Sequence, residues 1–109
     1  MNLLDAREWN SEKEVCTVIW EDEQVRIEKI VSYGQATPPD RMYCQREAEW
    51  VSVLHGQGTL YFPDSGTEVT LGPGDYRMIP VGERHMVTYT SKPCIWLCVF
   101  EKRKGTADA

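Results

Sequence analysis

A chain of 109 residues, 41% hydrophobic and 27% charged, has ordinary globular composition and the length to bury one core, not two. Its net charge of −5 argues against a nucleic-acid surface, and its longest apolar run, Cys94 to Phe100, is too short to cross a bilayer. The expectation is one domain over 1–109, with a folded core over about 14–101 and peripheral ends.

Only the first ten or so residues are candidates for a short helix. They lack the basic-then-apolar pattern of a signal peptide, which makes the cytoplasm the expected location and reduced thiols the expected state of Cys16, Cys44, Cys94 and Cys98. Eight of the seventeen acids fall between Asp5 and Glu28. From there the dominant period is two, with Val, Ile, Thr, Tyr and Trp plentiful. Val15 to Trp20 is a first strand. Val25, Ile27, Val31 and Tyr33 alternate with Arg26, Glu28 and Ser32 in a second. Gly34 to Asp40 is a loop, because proline cannot serve a central ladder. Arg41 to Gln45 reads as a short strand and Glu49 to His55 as another.

After a turn at Gly56 and Gly58, Thr59 to Phe62 and Thr67 to Leu71 flank the hairpin turn Pro63-Asp64-Ser65-Gly66. Tyr76 to Pro80, Arg84 to Thr90 and Cys94 to Glu101 complete the set. Cys94 and Cys98 share a face with Trp96, which points to packing. Lys102, Arg103 and Lys104 lead into a small-residue tail and read as a solvated end. Eight or nine short strands between Gly/Pro turns define an all-β sandwich or barrel.

Gly74, Pro80, Gly82 and His85 stand at one specific spacing, and Glu49 precedes Gly56 at another. The first set resembles the second cupin motif, with Tyr89 standing where that motif closes on asparagine. The second resembles the latter half of the first cupin motif, whose His-x-His pair is replaced by Tyr43 and Gln45. A register shifted by one residue would select Met42 and Cys44 instead. Tyr-Cys-Gln-Arg-Glu-Ala-Glu-Trp resembles a subgroup of small bacterial cupins, and its later part is similar to the cupin domain of mannose-6-phosphate isomerases.

The resemblance implies an RmlC-like jelly roll, or double-stranded β-helix, with a pocket lined by Tyr43, Gln45, Glu49, His85 and Tyr89. It implies a small-molecule ligand and a site for one divalent transition metal (iron, zinc, manganese or nickel) on Gln45, Glu49 and His85. A metal-free pocket stays open as an alternative. Only Glu49 and His85 are strong ligands, so any ion is expected to bind weakly. Tyr43 is the candidate acid or base.

Three functions follow as alternatives: a binding barrel, a metal-dependent isomerase, lyase or dioxygenase, and a metal-free sugar isomerase or epimerase. Glu49 is in phase with Val51 and Val53, so its carboxylate points inward, where it needs a partner. Trp50, Ser52 and Leu54 face the other way and suggest a homodimer surface. His55, before Gly56, reads as a solvated turn residue.

Overall fold

The computed structural model describes residues 1–102. Its strands are β1 (Val15–Glu21), β2 (Val25–Ser32), β3 (Ala48–His55), β4 (Gly58–Phe62), β5 (Thr67–Leu71), β6 (Tyr76–Ile79), β7 (Met86–Thr90) and β8 (Cys94–Glu101). They form a five-stranded sheet in the order β1-β2-β8-β3-β6 and a three-stranded sheet in the order β5-β4-β7. Neighbours within both sheets run antiparallel, and the all-strand architecture is that of a jelly roll.

Alternation explains how the sheets close on one another. Val51 and Val53 of β3, Leu60 and Phe62 of β4, and Cys94, Trp96, Cys98 and Phe100 of β8 point inward and bury together. Gly58 admits the Trp96 indole: a Cβ there would stand 2.3 Å from the ring. The indole N–H donates to Ser32 Oγ at 3.0 Å, so the bulky ring is buried with its polar atom satisfied.

Three expectations about the elements are corrected. No helix forms among the described residues. Asn2 and Asp5 accept backbone N–H bonds from Leu4 and Arg7, and such side-chain turns compete with helix formation. Arg41 to Gln45 is not a strand. It is an extended loop pinned by one bridge, in which Tyr43 and His85 exchange both backbone hydrogen bonds, at 2.8 and 3.0 Å. Lys102 is not a solvated residue, since its ammonium pairs with Glu21 at 2.5 Å and donates to the Asp22 carbonyl. Arg103, Lys104 and the tail lie outside the described residues.

The N-terminal segment packs on the outer face of β2. Trp9 stacks on Tyr33 with centroids 4.3 Å apart, and buried Lys29 pairs with Glu8 at 2.9 Å. No helix among the described residues is long and apolar enough to cross a membrane.

Candidate functional site

A cavity of about 280 Å³ opens between the sheets, beside the early half of β3 and the late half of β8. Its volume sits at the small end for ligand pockets. The turn after β6 delivers its central histidine. Gly82 takes a positive φ of 82°, which L side chains rarely adopt, and its N–H donates to the Gln45 carbonyl at 2.9 Å. The chain then reaches His85, bridged to Tyr43. One turn thus fixes the two residues that precede β3 on the cavity wall and the histidine opposite them.

His85 is 4% exposed. Its ring stacks against Tyr43 (centroids 5.5 Å) and tilts against Phe62 (6.1 Å). Nδ1 lies 3.1 Å from the Glu83 carbonyl, which can only accept, so Nδ1 carries the proton. In the neutral ring Nε2 therefore presents a lone pair toward Glu49 Oε1, 3.8 Å away. That gap is too long for a hydrogen bond and leaves both atoms able to meet a ligand.

Glu49 is 8% exposed. Gln45 Nε2 donates to its Oε1 at 3.0 Å, and the Cys98 thiol also hydrogen-bonds to it. Burial raises the Glu49 carboxyl above its ordinary range, an effect that Gln45 and the nearby His85 oppose. Burial likewise holds Cys98 protonated, well above the usual thiol range. Tyr43 is only half-buried, and partial burial with Glu14 nearby raises its phenol.

Tyr43, Gln45, Glu49 and His85 all line the cavity. Tyr89 does not: it is 51% exposed on the outer side of β7. Thr59 pairs with Tyr89, but Leu60 pairs with Val87, so Thr88 is an extra residue, a β-bulge. Val87, before the bulge, keeps the phase of His85 and lines the cavity; beyond the bulge the phase reverses, so Thr90 is buried and Tyr89 faces out. Met42 and Cys44 are absent from the lining, and the exposed Cys44 thiol lies 3.6 Å from the Gly82 carbonyl.

Four polar lining residues come from the chain ahead of the motifs: Glu14, Cys16, Arg26 and Glu28. The alternation of β2 puts two of them, Arg26 and Glu28, on one face but does not show that this face turns inward. A half-buried antiparallel strand usually sends its polar face to water. Here Arg26 and Glu28 face the cavity with Ile30, while Lys29 and Val31 are buried on the opposite face. Arg26 donates from both terminal nitrogens to Glu47 (3.0 and 2.8 Å) and from Nε to Glu28 (2.5 Å), with its guanidinium over the Phe100 ring at 4.4 Å. Cys16 donates to Glu28 at 3.0 Å; burial and that carboxylate push its thiol up to about 12.

The donor set does not fit a tightly held transition metal. Such ions take three or four strong nitrogen, oxygen or sulfur ligands. Among the described residues no three His, Cys, Asp or Glu side chains cluster so as to hold one. Gln45 turns its amide nitrogen to Glu49, and Cys98 donates its proton there. That leaves one imidazole and one carboxylate.

A jelly roll enclosing a small cavity, with a histidine delivered by a Gly-x-x-His turn and a glutamate facing it, defines a cupin barrel. The family model for the cupin domain matches residues 30–100, and the chain belongs to that family. A protein from Ralstonia eutropha JMP134, provisionally named a mannose-6-phosphate isomerase, is 30% identical over 94% of this chain and 97% of its own, with a TM-score of 0.87. The protein TT1209 from Thermus thermophilus is 20% identical over 95% of this chain and 97% of its own, with a TM-score of 0.78. The polyketide cyclase RemF from Streptomyces resistomycificus is 23% identical over 87% and 69%, with a TM-score of 0.70. Among proteins of curated function, none matches the chain.

Proposed function

We propose that this chain binds a small organic molecule in the cupin cavity, without a resident metal. One observation carries the reading: His85 Nε2 and Glu49 face each other across 3.8 Å in a mostly apolar cavity, too far apart to satisfy one another. Apolar walls supply affinity, and a few convergent polar atoms fix orientation. The barrel is read as cytoplasmic.

The test is a metabolite screen by thermal shift on the wild type and on Val87→Trp, which fills the cavity from its partly buried wall. Binders are expected to raise the wild-type Tm and to lose that effect in a variant that keeps its circular dichroism. Binders that stabilise both proteins equally would contradict the cavity as the site.

A second reading is metal-free acid–base catalysis by Tyr43 and His85. It is favoured by the stacking of Tyr43 on His85, which puts a phenol and an imidazole, both able to carry a proton, on one cavity wall. Turnover of any screened binder, lost in both Tyr43→Phe and His85→Gln, would establish it.

A further inference from the structure

The walls of the cavity carry three carboxylates, from Glu14, Glu28 and Glu49, on separate segments of the chain. Arg26 is the one guanidinium or ammonium among the described residues that line it. All three sides of that guanidinium are taken: Nε by Glu28, both terminal nitrogens by Glu47, and the face by Phe100. A phosphate or carboxylate entering the cavity would find no uncommitted fixed cation to pair with, and an unpaired buried charge is costly. Glu14 accepts a hydrogen bond from Ser32 and, among the described residues, meets no cation. The aromatic walls add to this bias. Tyr43 and Trp96 bring further rings to the lining, and ring faces attract cations, as Arg26 over Phe100 already shows.

We infer that the ligand is an organic cation, an amine or quaternary ammonium with an apolar body, and that the cavity rejects phosphorylated sugars and carboxylates. This rests on the ligand-binding reading above and names the class of molecule for it. Glu14 and Glu49 supply the charge complement, the rings receive the cationic head, and Val51, Leu60 and Val87 receive the body. Glu28 contributes less, since Arg26 already neutralises it.

The experiment is calorimetric titration with four probes that separate charge from shape: benzyltrimethylammonium, benzylamine, benzyl alcohol and benzoate, with mannose 6-phosphate as a fifth. The two cations are expected to bind at least about tenfold more tightly than the alcohol, with no heat from benzoate or mannose 6-phosphate. Glu14→Gln should narrow the gap between cation and alcohol. Tighter binding of benzoate or mannose 6-phosphate would overturn the inference. Equal binding of cations and alcohol would overturn charge selection and leave the cavity as a binding site. Failure of every probe to bind would overturn both this inference and the ligand-binding reading beneath it.

Discussion

Glu49 sits where a carboxylate is expensive, and its neighbours offset only part of the cost. The sign of the pH dependence follows. Its folded value lies above the ordinary 4.5, so the folded chain holds a proton that the unfolded chain has already released. Below that ordinary value both states are protonated and the residue is neutral to stability. As pH rises through the window up to the raised folded value, the native state loses stability, and above it the loss is constant. Glu49→Gln is therefore expected to match the wild type near pH 4 and exceed it at pH 7 by on the order of 1 kcal/mol, a few degrees in Tm. Thermal melts across that range check this. An advantage that stays flat or shrinks toward neutral pH would mean that Glu49 carries no burial cost. The retention of such a group fits a site where stability is traded for binding.

At the scale of the element, what the sequence discloses and what it hides have one cause. Strand phase is legible wherever pairing is regular: Glu49, Val51 and Val53 face inward as their alternation requires. A bulge is silent in composition and reverses everything beyond it. Thr88 does this to Tyr89, and Ile19 does it on β1, where Val18 pairs with Glu28 but Trp20 pairs with Ile27. The polar face of β2 was hidden for a different reason, because its partner for Arg26 is Glu47, distant in sequence. The shifted strand phase also builds the outer face of the larger sheet. Trp20, Ile27, Val99, Trp50 and Met78 pair in one row across all five strands. Trp20 and Met78 at its ends are more than half exposed, at 58% and 51%. Ser52, expected on the same surface, is buried and donates to the Leu97 carbonyl, so the apolar row rather than Ser52 forms the patch. We propose that a second copy of the chain covers it. Light scattering at micromolar concentration should give a dimer, and Trp50→Glu should weaken it by about 30-fold or more. A monomeric wild type would contradict the dimer.

For the whole molecule, the fold was the most legible feature. Period-two patterning and Gly/Pro turns define the jelly roll, and the spacing of Gly74, Pro80, Gly82 and His85 names its family. The cavity was legible only through that family likeness, since Tyr43, Gln45, Glu49 and His85 meet only after the turn at Gly82 pairs with Gln45. Its charge was not legible, because Glu14 and Glu28 belong to the acidic N-terminal stretch and reach the cavity through the folding of β1 and β2 around it. The cavity also offers few donors for a transition metal. Where a metal site needs several imidazoles, this cavity has one, His85, facing a carboxylate already engaged by Gln45 and Cys98.

The direct test of this account is elemental analysis of protein purified without a metal-affinity tag, repeated after incubation with iron, zinc, manganese and nickel and removal of excess ion. Metal far below one equivalent is expected in both samples. Near-stoichiometric metal that disappears in His85→Ala and Glu49→Ala would contradict it and make the facing pair a metal site.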